Sequence, residues 1–317
     1  MIPFDPLFRS PHWQTIAGAY WPRPRLDNYP VESRYVQTEP DVKVLVHSQN
    51  PLTQPKGVVL LVHGLEGSSA AGYLRSAASA LLQAGYATCR LNIRSCGGTE
   101  SHCNTLYHAG LTHDLRAVAL QLRRPSLPVY AVGYSLGANM VLKLAGELGR
   151  EASDLLAGVA AVSCPVDLAA CARALNEPRC RLYQDRFLRN MAARLRRRHS
   201  LRPDLFSIDA LSGIRSVYEF DDRITAPFFG FGNAEGYYGT QSAGLFLKDI
   251  RIPTLAIHAK DDPMIPFSVY QNPAFRENRN IRLVAVDHGG HVGFLARKGE
   301  RFWVDAVLTE WLKAPVS

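Results

Sequence analysis

Residues 129–148 read VYAVGYSLGANMVLKLAGEL. An apolar strand over Val129–Gly133 runs straight into a helix over Leu136–Leu148, and a G-x-S-x-G sequence, Gly133-Tyr134-Ser135-Leu136-Gly137, occupies the junction. So tight a turn forces the serine into strained backbone geometry, and small residues at Gly133 and Gly137 are needed to avoid clashes. It lifts the Ser135 hydroxyl out of the sheet and sets it at a helix N-terminus, where free N–H groups and the dipole favour developing negative charge. Ser135 is the candidate nucleophile.

Outward from this junction, strand-like and helix-like segments alternate. Gly57–His63 (GVVLLVH) is a continuous apolar run and reads as a buried strand. Ser69–Ala84 has helical spacing and stops at Gly85. Tyr86–Ile93 reads as a strand, about Leu111 to Arg124 as a helix, and Gly158–Cys164 as the next strand. After Pro165 the rhythm breaks; it returns with strands at Pro253–Ala259 and Ile281–Val286 and a helix near Trp303–Lys313. The pattern predicts a mostly parallel sheet covered by helices on both faces. The core would comprise residues 1–164 and 248–317, with 165–247 inserted as a helical cap.

A serine nucleophile needs oxyanion donors, a base and an acid. His63-Gly64-Leu65-Glu66-Gly67 follows the GVVLLVH strand, so the backbone N–H groups of Leu65 and Leu136 are the candidate donors. Glu66 reads as a loop residue facing water or the cap. The acid and base should follow the serine in the order Asp, then His. Either Asp261 or Asp262 can orient a histidine; a D-x-x-x-P spacing to Pro266 favours Asp262 and leaves Asp261 as a turn-capping carboxylate. His288 and His291 compete for the base. The glycines around His291 let its loop approach the serine, which favours His291.

These segments, quoted as HGLEGSS, LYHAGLTHDL, GYSLGANM, AKDDPMIP and GGHVGF, occur with PHWQT at 11–15 and FDDRITAPFFGFGNAEGYY at 220–238. Together they resemble the AB hydrolase 4, or YheT-like, family over about residues 10–312. The resemblance implies the α/β-hydrolase fold and a Ser-Asp-His relay, falling on Ser135, Asp262 and His291. Members of that family include ester hydrolases, lipid-acting enzymes and alcohol acyltransferases. Two departures are expected to alter the pocket rim: Arg94-Ser95-Cys96-Gly97-Gly98 where the family has R-G-C-S-G, and Ala138 where a glycine often stands. The reading is a serine hydrolase of short- to medium-chain carboxylic esters, with cap aromatics Phe228, Phe229 and Tyr238 lining an acyl pocket. Transfer of the acyl group to an alcohol is the nearest alternative, and a catalytically silent binding module the next.

Composition narrows the classes further. The 317 residues are 47% hydrophobic, and no apolar run approaches the ~20 residues of a membrane helix. The opening MIPFDPLFRSPHWQT does not read as a signal peptide, so the six cysteines are expected to be reduced thiols in a cytoplasmic protein. The net charge of +8 gathers in Arg186–Pro203, without a nucleic-acid motif. Within it, Arg194–Arg198 reads as a solvated face of a cap helix, with weak contact to an anionic lipid surface as the alternative. His12 and Trp13 are expected to anchor the N-terminal segment. His102, Cys103, His108 and His113 have no usual metal-ligand spacing, and Gly97-Gly98 lacks the G-K-[ST] of a phosphate loop. No cofactor or metal is expected.

Overall fold

A computed structural model describes residues 2–313. One eight-stranded sheet runs through it: β1 (Glu32–Glu39), β2 (Val42–Gln49), β3 (Val58–Val62), β4 (Ala87–Asn92), β5 (Val129–Tyr134), β6 (Gly158–Val162), β7 (Thr254–Ala259) and β8 (Ile281–Val286). The spatial order is β1-β2-β4-β3-β5-β6-β7-β8. β2 pairs antiparallel with β1 and with β4; every other pairing is parallel.

Every residue of β3 to β7 is buried, as apolar runs covered on both faces should be. Alternation along β3 then divides two cores. Val58, Leu60 and Val62 face the helices α3 (His113–Leu122) and α4 (Leu136–Leu148). Val59 and Leu61 face α2 (Gly72–Gln83) and α8 (Trp303–Lys313).

Two elements lie outside the expected rhythm. Helix α1 (Pro11–Tyr20) opens with Ser10 as N-cap and proline in its first turn. The β1–β2 hairpin follows; in β2, Val42, Val44 and Val46 are buried while Lys43 is exposed. That period of two is visible in the sequence but belongs to a half-buried antiparallel edge, unlike the continuous apolar runs of the centre.

Between β6 and β7 the described chain carries helices and no strand: α5 (Leu168–Leu175), α6 (Arg181–Leu201), a π-helical turn at Asp221–Thr225, and α7 (Ala234–Gln241). The expectation of a solvated Arg194–Arg198 run needs correction. Arg194 and Arg198 are 5% and 1% exposed, because helical spacing turns them inward with Met191 and Leu195; Arg196 and Arg197 remain outside.

Candidate active site

Ser135 stands between β5 and α4 with φ 52° and ψ −122°, the strained conformation the turn demands. Its N–H donates to Val162 O at 2.9 Å, which fixes the turn to β6. The flanking glycines are required by space. A Cβ at Gly137 would come within 2.6 Å of Val62 O, and one at Gly133 within 2.2 Å of Gly137 O. Helix α4 is thereby pressed against the end of β3, bringing Ser135 beside the loop that begins at His63.

The Ser135 hydroxyl lies 2.9 Å from His291 Nε2, and His291 Nδ1 lies 2.8 Å from Asp262 Oδ2. Asp262 is buried, and its other oxygen accepts from the Met264 and Ile265 N–H groups at 2.9 and 3.0 Å. Burial alone would raise this carboxyl. The His291 imidazole and the backbone donors outweigh it and hold Asp262 below the usual carboxylate range. An ionised Asp262 accepts the hydrogen bond from Nδ1–H and leaves Nε2 free to accept from the serine.

Asp261 and His288 sit apart from this line. Asp261 Oδ1 accepts from the Gly289 and Gly290 N–H groups at 2.9 and 3.0 Å, and His288 lies 3.3 Å from Asp261 Oδ2 at the surface. Asp261 therefore ties down the loop leading to His291, a larger duty than capping its own turn.

Helix α1 holds the other side of that loop. The His291 N–H donates to Thr15 Oγ1 at 2.9 Å, and the Thr15 hydroxyl donates to Pro11 O at 2.7 Å. Gln14, fully buried, exchanges two 3.0 Å bonds with the backbone of Leu295. The anchoring expected of His12 and Trp13 thus needs correction: His12 Nδ1 bonds Tyr183 Oη at 2.9 Å, but Trp13 is 62% exposed, and Gln14 and Thr15 do the holding. The PHWQT motif marks the place, yet nothing in one sequence pairs residue 15 with residue 291.

Across from the histidine, the loop after β3 presents alternating N–H groups. Gly64 N–H donates to Tyr73 Oη at 3.0 Å and Glu66 N–H to Tyr107 Oη at 2.9 Å, while the Leu65 N–H between them has no protein acceptor among the described residues. The Leu136 N–H at the start of α4 is equally free. His63 braces this loop: Nδ1 donates to Gly64 O at 2.7 Å and Nε2 accepts from Ile93 N–H at 3.1 Å, and burial lowers its pKa to about 4. Glu66, at φ 55°, faces the inserted helices. Its carboxylate accepts from Tyr107 Oη and from Arg194 Nε, each at 2.8 Å, in a pair whose side chains are each 6% exposed.

A cavity of about 110 Å³ opens on Ser135, His291, Leu65 and Leu136, walled by apolar side chains of α5 and α6 such as Leu168, Leu175 and Met191. Tyr238 reaches it; Phe228 and Phe229 do not. The chain leaving the π-helical turn sends Phe228 outward, stacked on Phe206 at 5.7 Å, and packs Phe229 against His108 one layer behind the wall. Asp221, which the sequence reading does not single out, lines the cavity instead; it accepts from Tyr238 Oη at 2.7 Å, and burial raises its pKa to about 6. Neither Arg94–Gly98 nor Ala138 is among the residues that line the cavity. Among the described residues no group of three or more His, Cys, Asp or Glu side chains is arranged to hold a metal. No described helix is long and apolar enough to cross a membrane.

Comparison with known proteins agrees with this architecture. Residues 57–297 match the alpha/beta hydrolase fold family. YheT of Escherichia coli (strain K12), named as an esterase, is 33% identical over 96% of this chain and 91% of its own. The monoacylglycerol lipase of Saccharomyces cerevisiae is 30% identical over 81% of this chain, which spans 59% of that longer protein. Among solved structures, the Pyrococcus furiosus esterase Pf2001 superposes with a TM-score of 0.61 at 16% identity, covering 93% of this chain and 100% of its own. The chain belongs to the α/β-hydrolase fold family, on its YheT-like branch, and is an esterase-type hydrolase.

Proposed function

We propose that this hydrolase cleaves carboxylic esters of short- to medium-chain acyl groups through an acyl-enzyme on Ser135. His291 Nε2 takes the hydroxyl proton as Ser135 Oγ attacks the ester carbonyl. Asp262 keeps the imidazole in the productive tautomer and stabilises the imidazolium. The Leu65 and Leu136 N–H groups receive the oxyanion, each lowering the barrier by roughly 3 kcal/mol. His291 then protonates the leaving alkoxide, and water releases the acid by the same steps in reverse order. The observation that carries this reading is the unbroken line from Asp262 through His291 to Ser135, facing two uncommitted N–H groups inside one cavity.

On this reading, residues 165–247 serve as a cap whose α5 and α6 form the acyl wall. Roofing the site keeps water from the oxyanion contacts. Each methylene buried against the wall should contribute up to ~0.8 kcal/mol until the space is filled. Specificity, measured as kcat/KM over a series of esters of graded acyl length, should climb over the first few carbons and then fall. Leu175→Ala or Met191→Ala should move the maximum toward longer chains. A profile that is flat, or unmoved by both changes, would sink the pocket assignment.

A further inference from the structure

The outward faces of α1 and α6 form one surface that carries both exposed aromatic rings and exposed arginines. Along α6, helical spacing lines up Leu182, Arg186, Arg189, Ala193 and Arg196 on a single exposed stripe, with Arg197 at its edge. Leu182 is 63% exposed. On α1, Trp13 and Tyr20 stand two turns apart on one side, 62% and 72% exposed. The two stripes adjoin. His12 Nδ1 meets Tyr183 Oη at 2.9 Å, and Arg186 bonds Tyr20 Oη at 3.1 Å with its guanidinium 5.8 Å over the ring. Arg181 has Asp185 at 3.8 Å and Arg197 has Glu100 at 3.9 Å, whereas Arg186, Arg189 and Arg196 have no carboxylate within 4.0 Å among the described residues.

We propose that this face, Trp13 and Tyr20 of α1 with Leu182, Arg186, Arg189 and Arg196 of α6, docks on an anionic phospholipid surface. The charges and the rings argue together. Arginines without a carboxylate partner are drawn to acidic headgroups. Trp and Tyr settle at the headgroup level, where an apolar body and a polar edge are both satisfied. A nucleic-acid duplex would use the arginines but leave Trp13 and Leu182 without a partner. The opposite face of α6 supplies Met191 and Arg194 to the cavity that holds Ser135. Docking therefore sets the roof of the acyl cavity against a source of lipid esters. This use of the surface rests on the esterase reading above; the binding itself does not.

The test is sedimentation of the whole chain with phosphatidylcholine vesicles, with and without a phosphatidylglycerol fraction, at low and high salt. Binding should require phosphatidylglycerol and weaken with salt. Reversing two charges, Arg189→Glu with Arg196→Glu, should lower it by roughly tenfold or more. Trp13→Ser should weaken the binding that survives high salt. All three substitutions lie on exposed positions and should leave kcat/KM on a water-soluble short-chain ester unchanged. Equal binding to both kinds of vesicle, indifference to the charge reversal, or tighter arginine-dependent binding to duplex DNA would each overturn the proposal. Loss of soluble-ester activity in the unaltered chain would count against the esterase reading alone.

Discussion

Two adjacent carboxylates act on the same histidine loop from different sides. Asp262 meets the ring of His291, while Asp261 meets the backbone two and one residues before it. On the proposed mechanism, Ser135→Ala should lower kcat by about 10⁶, and Asp262→Asn by about 10⁴ because the ring is then held in the wrong tautomer. Asp261→Asn should cost far less, since an amide oxygen still accepts from Gly289 and Gly290; steady-state kinetics on one ester will rank the three. Thr15 is the position that a single sequence could not reveal. Thr15→Val leaves the His291 N–H without its acceptor, a loss worth roughly 1–3 kcal/mol at a buried donor. We expect kcat to fall about ten- to a hundredfold with KM nearly constant, and Thr15→Ser to restore it. A fall in KM of the same size, or no rescue by serine, would remove Thr15 from the positioning of His291. The three side chains that meet in the Asp262–His291–Ser135 line were legible because each sits in a short local motif, whereas Thr15 acts across 276 residues.

At the level of elements, strands buried on both faces announced themselves as apolar runs, and helix α4 by the G-x-S-x-G junction that leads into it. The β1–β2 hairpin went unread because half of its residues face water. Phe228 and Phe229 were misplaced for a related reason: composition identifies aromatic residues, but the π-helical turn at Asp221–Thr225 decides which way the following residues point. The seam between α2 and α8 carries a testable charge. Asp305 of α8 accepts from the Ser76 hydroxyl of α2, and burial raises its pKa to about 7. Folded chains therefore keep this proton up to about pH 7, while unfolded chains release it near pH 4. Over that interval the unfolded state binds fewer protons, so the stabilisation present at low pH is lost as pH rises through about 7. Asp305→Asn removes the effect, and its Tm relative to the parent should increase from about pH 4 to about pH 7 and then level off. A difference that does not vary with pH would show that the seam tolerates the charged form.

For the molecule as a whole, the alternation of strand and helix and its interruption after Pro165 were enough to indicate a mostly parallel sheet covered by helices on both faces, but not the order of its strands. The total charge was a poorer guide, because two of the arginines that produce it, Arg194 and Arg198, are spent inside. The thiols offer a global check on packing. All six cysteines are free and buried, and burial pushes Cys89 up to about 11 and Cys164 and Cys171 well above the ordinary range. Thiolates are the reactive form, so native protein should resist a thiol-specific dye at neutral pH, unfolding in urea should expose all six, and reductant should leave Tm unchanged. Prompt labelling of several thiols in the native chain would contradict this packing.

The bonds from α1 to the histidine loop also order events in time. Thr15 and His291 are 276 residues apart, and Gln14 and Leu295 are 281 apart. A ribosome adding roughly 5–20 residues per second would separate the two ends of the first pair by roughly 14–55 s. Throughout that interval Ser135 can emerge on its strand–helix turn, but no imidazole yet exists to take its proton. On the proposed mechanism a nascent chain thus carries its serine unarmed, and hydrolysis must await translation of the segment that α1 receives.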